Sequence, residues 1–424
     1  MLEKIRELID AKGAKAKSAV LTKYAGDELF RDFLRYALDE TLSYNLSEER
    51  LRLRDGEVFE SREVDPYLLF MYCVRLSSRR GVDDETVRDV KALLYSDRMK
   101  PEDRILWIRL LAGTLRLGVT AKTVNRVIPG LIPVWEVQQA FPIDRYPITD
   151  GTEFWLTQKL NGVRATLYNG EMIARSGRPY TGLDHILDAI GEYAEKWNVV
   201  FDGELTLKDN GELSDNEAFR VAAGILNSDS EDKTAICYTV FDVIPLADFD
   251  SSEPRICYSM RRSFLDAAAD SLNTDCTRVL PVLYHGTDQS RIWPLLDRMV
   301  AEDKEGLMLN TDVPYYRTRH RGILKVKQFY TMDLPVVGAE EGSGRLSGTL
   351  GALILDYKGN EVRVGSGFSD EQRHTYWQKR ENLPMCICEV KYKEISCDKN
   401  TGLESLQFPV FVRLREDKTD ISYG

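Results

Sequence analysis

Lys159 stands in the segment QKLNGVRATLYNG (158–170), followed closely by Asn161, Gly162 and Arg164. A free lysine titrates near 10.4, so an attacking amine must be held deprotonated by burial or by neighbouring positive charge. Arg164, across the turn at Gly162, is one such charge. Two readings of Lys159 stay open on this pattern alone: a surface lysine in a hairpin turn, or a nucleophile. Two isolated carboxylates follow, each beside a glycine: Glu204 in FDGEL (201–205) and Glu305 in KEGLMLN (304–310). Mg2+ takes one or two carboxylates and completes its shell with phosphate oxygens and water, so both residues suit a nucleotide-bound metal. They equally suit solvated strand ends. In ILKVKQF (323–329), period-two alternation puts Lys325 and Lys327 on one face and Leu324 and Val326 on the other. Two ammonium groups in an otherwise apolar strand require a partner. A polyphosphate is one; water on an exposed sheet face is the other.

The elements that must position these residues change texture along the chain. Residues 1–135 read as helical. PEDRILWIRLLAGTLRL (101–117) opens with Pro, Glu and Asp, which suit a first turn. Ile105, Ile108, Leu111 and Leu115 then recur at helical spacing, and Gly118 offers a stop. Segments 27–44, 65–76 and 84–95 predict further helices, and Pro129, Pro133 and Pro142 predict a linker over 129–143. From about 150 onward the chain reads as short strands: FWLTQKL, VRATLYN, NVVFDGELTL, AICYTVFDVIPL, KEGLMLNT and GILKVKQF. One amphipathic helix intervenes at 184–197, with Ile186, Ile190, Tyr193 and Trp197 on one face. Beyond 331 everything reads as strand and Gly-rich turn, which predicts a small barrel. EGSGRLSGTLG (341–351) lacks the GxxxxGK[ST] pattern of a phosphate-cradling loop and reads as hairpin turns of that barrel.

A chain of 424 residues suggests about two to four domains. No apolar run approaches the ~18 residues of a membrane helix, and Glu3, Glu7 and Asp10 break the N-terminal pattern that a signal peptide needs. No membrane association is expected. Seven scattered cysteines without a CxxC pair, and four histidines far apart, argue against a disulfide framework or zinc site and fit a reducing cytoplasm. The net charge of −11 taken alone argues against a nucleic-acid partner, but it is unevenly spread. Residues 1–135 hold 24 Lys and Arg against 22 Asp and Glu; the remainder holds 33 against 46. Basic residues gather late in the first region, at Arg104, Arg109, Arg116, Lys122 and Arg126, with Arg79 and Arg80 earlier. Screening confines each charge to about a Debye length, so a local basic face remains compatible with an acidic whole.

KLNGVR (159–164), FDGEL (201–205), YTVFDVI (238–244), EGLMLN (305–310), LKVKQF (324–329) and SLQFPVFVRLREDKT (405–419), in that order and spacing, resemble the ATP-dependent DNA ligases. GTLGALILDY and RVGSGFSDEQ look like that family's OB-domain strands. LRLGVTAKTVNRVIPGLIP (115–133) is similar to the helical DNA-binding domain of T4-phage-type ligases. The resemblance covers essentially the whole chain. RNA ligases and capping guanylyltransferases share much of the core but generally lack the helical N-terminal domain.

The resemblance implies a multidomain fold: an all-α DNA-binding domain (1–135), an α+β nucleotidyltransferase (adenylation) domain (136–329) and a β-barrel OB-fold domain (330–424). It implies nick sealing in duplex DNA through three phosphoryl transfers. Lys159 would take AMP from ATP, the 5′-phosphate of the nick would receive it, and the 3′-hydroxyl would displace it. Arg164, Glu305, Lys325 and Lys327 would share in catalysis. Phe241 would stack on adenine, Glu204 would hold the ribose and assist a metal, and Glu305 would be the main metal-binding carboxylate. Lys325 and Lys327 would hold the α-phosphate. Arg164 and Arg175 would bind nucleotide or nick phosphate. Arg415, Asp417 and Lys418 would close over the ATP. Mg2+, with Mn2+ substituting, is the expected metal. DNA contacts are expected from Arg116, Lys122, Arg126, Arg317, Arg319 and Arg345. A monomer in the cytoplasm (the host's, for a viral source) is expected. Three positions depart from the family: Asn161 stands for the usual Asp, Thr157 for a common Glu, and Gln407 for a frequent Arg. Asn keeps the reach of Asp without its charge, which predicts an uncharged hydrogen-bonding positioner at 161.

Overall fold

The computed structural model describes residues 1–54, 56–59, 66–77, 81–228, 232–384, 386–393, 395–397, 402–415, 417–418 and 420–423. Arg79 and Arg80 lie outside the described residues. The chain divides into two compact units, residues 1–288 with 308–325 and residues 289–307 with 326–424.

The first unit begins with α1 (Leu2–Asp10), α2 (Ala14–Lys23), α3 (Glu28–Leu38), α4 (Glu48–Leu51), α5 (Pro66–Ser77), α6 (Asp84–Leu94), α7 (Pro101–Leu111) and α8 (Ala121–Val127). Local chemistry starts several of them. Asp27 accepts from the Phe30 N–H at the head of α3, and Asp83 does the same for Thr86 at the head of α6. Each such cap satisfies an amide that the helix cannot. Packing then holds them: Trp107 on α7 is buried between the edges of Phe33 and Phe70, with ring centroids 5.3 and 5.2 Å away. Helix α7 stops at Leu111 rather than running to Gly118. Gly113 takes a left-handed φ of 67°, and the Thr114 and Leu115 amides both turn back to the Arg109 carbonyl. Its buried face is Leu106, Trp107, Leu110 and Leu111, while Ile105 is half exposed. The apolar residues there run almost unbroken, so their spacing did not set the phase of the helix.

The unit continues with β1 (Gln139–Pro142), β2 (Phe154–Gln158), β3 (Val163–Tyr168), β4 (Glu171–Ala174), α9 (Asp184–Trp197), β5 (Val199–Leu207), α10 (Asp215–Asn227) and β6 (Ile236–Pro245). Then come α11 (Leu246–Phe249), α12 (Tyr258–Ala267), α13 (Ala269–Leu272), β7 (Thr277–Val279) and β8 (Val282–Gly286). One sheet has the order β4-β3-β5-β6-β7. Helix α9 buries Ile186 and Ile190 in a core with Phe201, Leu205, Tyr238 and Val240 of that sheet. Trp197, expected on the same face, is half exposed at the helix end, where Asn198 turns left-handed. Helices α10 and α12 were not expected. Both have a narrow apolar face, Ala218, Ala222 and Leu226 in α10, which short windows of sequence conceal.

After α14 (Ile292–Ala301), which belongs to the second unit, the chain forms β9 (Leu307–Thr311) and β10 (Arg319–Val326). The other sheet has the order β1-β10-β9-β2-β8. Strand β1 pairs in parallel with β10, so part of the proline-marked stretch expected as linker is a strand. A proline at its end is tolerated because Pro142 closes the strand.

The rest of the second unit is β11 (Tyr330–Glu341), β12 (Leu350–Tyr357), β13 (Asn360–Val364), α15 (Asp370–Gln378), β14 (Ile387–Tyr392), β15 (Ile395–Cys397), β16 (Glu404–Leu406) and β17 (Val410–Arg415). Five strands form an antiparallel sheet in the order β13-β12-β11-β14-β17. The long β11 serves both halves, pairing β14 over 330–335 and β12 over 336–341, with bulges where it bends. A bridge between Ser366 and Val410 brings the two ends of the sheet together. Leu334, Val336, Leu353, Leu355, Val364, Cys388 and Val390 fill the interior. The region is not all strand and turn, because α15 interrupts it. Its start is a capping box between Ser369 and Gln372, and its largely polar surface is why periodicity missed it.

Candidate active site

Strand β2 ends at Gln158, and half-buried Lys159 opens the turn that leads through Asn161 and Gly162 into β3. This turn lies flat on β5. A Cβ on Gly162 would come within 2.6 Å of Glu204 Cγ, 2.6 Å of the Leu205 carbonyl oxygen and 2.7 Å of Thr206 Cγ2. Only glycine lets the Lys159 turn approach Glu204 so closely. On its other flank, Asn161 Nδ2 donates to the Asp215 carbonyl oxygen (3.3 Å) and to Asn216 Oδ1 (2.9 Å), in the first turn of α10.

Glu204 pairs across the sheet with Arg164 on β3 and Thr239 on β6. Between Asp202 and Gly203 the ladder with β6 slips by one residue, and Phe241 is the extra one. The bulge leaves Phe241 half-buried between buried Val240 and Asp242, its ring 5.4 Å from the Arg164 guanidinium. Gly203 makes this register possible, since a Cβ there would lie 2.5 Å from the Thr239 carbonyl oxygen. Burial pushes the Tyr180 phenol up to about 12, and the charge of Glu204 adds to the shift.

Arg164 is held by residues that the motif reading passed over. Its Nε and Nη2 donate to the two oxygens of fully buried Asp202 (2.9 and 2.5 Å), Nη1 donates to the Gln138 carbonyl (2.6 Å), and Nη2 also reaches Tyr315 Oη (3.3 Å). The Tyr315 hydroxyl donates in turn to Asp202 and accepts from the Gln138 amide. Four of the five guanidinium donors are thereby engaged. Desolvation opposes the guanidinium charge, but Asp202 beside it wins and holds the Arg164 pKa above its ordinary value. Asp202 was visible in FDGEL as a strand residue; nothing in sequence spacing tied it to Gln138 or Tyr315.

The other expected residues of this unit lie as follows. Lys325 is half-buried on β10, opposite Pro142, next to fully buried Leu324. Exposed Arg175 and Arg319 converge on Gln139 Oε1 at 3.3 and 3.4 Å. The Arg317 guanidinium lies over Trp135 and Phe249, 5.3 and 4.6 Å from the ring centroids, and its Nε donates to the Glu136 carbonyl. In the helical region, exposed Arg116 lines a groove of about 690 Å3 with Ser43, Asn45, Thr120 and Thr123. Arg126 is exposed, and exposed Lys122 forms an ion pair with Glu136.

In the second unit, Glu305 and Lys327 form a largely buried ion pair. Lys327 lies just past the end of β10, and Gly306 fits closely there: a Cβ on it would lie 2.3 Å from the Val326 carbonyl oxygen. At the far end of this unit, Arg415 bonds both oxygens of Asp417 at 2.9 Å and lies 3.3 Å from Asp333, while Lys418 reaches Asp333 at 2.7 Å. Hydrogen bonds from Arg415 hold the Asp417 carboxyl down at about 2. Asp333, which gathers this cluster, was not anticipated. Arg345 is exposed and lies 3.1 Å from Asp370. Among the described residues no group of three or more His, Cys, Asp or Glu side chains could hold a metal by itself. A metal bound through one or two carboxylates and completed by phosphate oxygens fits this donor set.

Two family models match the chain. Residues 143–327 match one described as an ATP dependent DNA ligase domain, and residues 341–415 match a DNA ligase OB-like domain. The chain belongs to the ATP-dependent DNA ligases. The DNA ligases of Enterobacteria phages T6 and T4 are each 23% identical to it, over 99% of this chain and 96% of their own. Two solved structures, named Pmar-Lig_Pre. and Pmar-Lig_PreS3, share its fold with TM-scores of 0.69 and 0.68 at 24% identity. They cover 98% and 97% of this chain and 99% and 98% of their own. The ligase therefore combines a catalytic domain with an OB-like domain. It seals nicked duplex DNA using ATP and a divalent metal, through an enzyme–AMP intermediate, an adenylated 5′-phosphate and attack by the 3′-hydroxyl. Among the described residues no helix is long and apolar enough to cross a membrane.

Proposed function

We propose that Lys159 is the residue of this ligase that carries AMP. The observation that supports this most is the seating of its turn on β5 at Glu204, with Arg164 and bulged Phe241 alongside. In the first step the Lys159 Nζ lone pair attacks the α-phosphorus of ATP, a P–N bond forms, the bond to the bridging oxygen breaks, and pyrophosphate leaves while Nζ loses a proton. Phe241 stacks on the adenine, and Glu204 binds the ribose. Lys325 and Lys327 neutralise the α-phosphate. Arg164, fixed by Asp202, presents its remaining Nη1 hydrogen to nucleotide or nick phosphate, and Arg175 adds an exposed phosphate contact. Glu305, with Glu204 assisting, would hold a Mg2+ ion (or Mn2+) whose charge offsets that of the phosphates. Arg415, Asp417 and Lys418 orient the departing pyrophosphate. Positioning and charge stabilisation supply most of the rate in such transfers.

The division of labour follows the order of the chain: residues 1–135 as an all-α DNA-binding domain, 136–329 as the adenylation domain and 330–424 as the OB-fold domain. Arg116, Lys122, Arg126, Arg319 and Arg345 contact the phosphate backbone, with Arg317 in a supporting place. The ligase acts as a monomer in the cytoplasm. The test is incubation with ATP labelled at the α-phosphate in Mg2+, followed by gel analysis. Wild type acquires label and Lys159→Ala does not. Label retained by Lys159→Ala, or label taken from GTP in preference to ATP, overturns the proposal.

A further inference from the structure

Asn161 lies two residues beyond Lys159, and its side chain ties that turn to α10. The turn is clamped from both sides. Gly162 presses on Glu204 and Leu205 of β5, and the Asn161 amide bonds the first residues of α10. That helix end is itself rigid, because Ser214 and Glu217 form a capping box immediately around Asp215 and Asn216. Ala218, Ala222 and Leu226 then anchor α10 in the core beneath. The Asp215 carbonyl and the Asn216 side-chain oxygen both accept from Nδ2 of residue 161, so a donor at that position serves two acceptors. A carboxylate there has no N–H to give and would set an oxygen against that carbonyl oxygen. An amide supplies that donor and a carboxylate does not, which gives the uncharged Asn161 a physical role beside Lys159.

We infer that Asn161 is a positioning residue that fixes the Lys159 turn against α10, with Asn216 as its partner, so that α10 forms the outer wall of the adenylation site. The inference rests on Lys159 being the AMP-carrying residue. The tie acts on the geometry of Lys159 during attack and leaves ATP binding, made by other residues, nearly unchanged.

The experiment measures single-turnover enzyme–AMP formation against ATP concentration for Asn161→Ala, Asn216→Ala, the double variant, Asn161→Asp and Lys159→Ala, with thermal melting alongside. Loss of one neutral hydrogen-bonded tie is expected to lower the maximal rate about three- to tenfold. The ATP concentration at half-maximal rate should stay within about twofold, and melting should barely move. Asn216→Ala, though on another element, should slow the step by no more than Asn161→Ala, which also loses the bond to the Asp215 carbonyl, and the double variant should be no slower than Asn161→Ala. Asn161→Asp should be at least as slow as Asn161→Ala. Sealing of a nick that already bears a 5′-AMP should proceed at nearly the wild-type rate in the two Asn→Ala variants. Additive losses, an unaffected Asn216→Ala, a faster Asn161→Asp, or a loss confined to the pre-adenylated nick would each overturn the inference. Label on Lys159→Ala would instead overturn the assignment of Lys159 on which it rests.

Discussion

Replacing Asp202 with Asn tests the network that fixes Arg164. The amide offers one acceptor where the carboxylate offers two, so the guanidinium loses one of its bonds to residue 202 and meets an N–H donor in its place. A hydrogen bond to a charged group contributes about 1.5–3 kcal/mol, and removing one partner of a buried ion pair costs about 3–5 kcal/mol. The Arg164 side chain keeps 21% of its surface exposed, and Asp202 keeps none. Water therefore screens part of the uncompensated positive charge, which places the expected loss near the lower end, about 3 kcal/mol. The unit containing both residues has about 300 residues. At an unfolding entropy of about 2.1 cal/mol/K per residue, its thermal transition should fall by about 4–5 °C. Differential scanning calorimetry measures this directly. Removing both charges, in Arg164→Met with Asp202→Leu, should destabilise less than the sum of the two single changes, since neither leaves a buried charge alone. A transition within about 1 °C of wild type for Asp202→Asn, or simple additivity in the pair, would refute the reasoning.

Gly162→Ala should slow enzyme–AMP formation about a hundredfold, because a Cβ meeting the Leu205 carbonyl lifts the turn and misplaces Lys159; single-turnover labelling near the wild-type rate would show that contact with β5 is not required. The Asp417 carboxyl should titrate at about 2 by NMR and return toward about 3.9 in Arg415→Ala. Its folded pKa lies below the unfolded one, so the contact favours the folded arrangement above about pH 3.9 and fades as pH falls through about 2.

The family was legible in the sequence because phosphoryl transfer to a lysine demands particular residue types in a particular order. Lys159, Glu204, Phe241, Glu305, Lys325 and Lys327 each stand on or beside a short strand whose alternation is visible in the chain. The order of helical, mixed and barrel-like regions was legible for the same reason, since apolar period changes with secondary structure. Element ends and phases were less so. Helix α7 is apolar almost without a break from Ile105 to Leu111, which leaves its buried face undetermined, and α15 is too polar for periodicity to register.

What tertiary structure decided was which polar groups satisfy one another. Asp202, Arg164, Gln138 and Tyr315 are separated by up to 177 residues along the chain, yet close one buried network. Asp333 gathers Arg415 and Lys418 from more than 80 positions away. A buried charge must find a partner, but sequence spacing does not say which one, because the pairing is set by strand order and register. Asn161 shows both sides. Its type marked it as a neutral departure beside the lysine; only folding placed the first turn of α10 against it and gave its amide two acceptors.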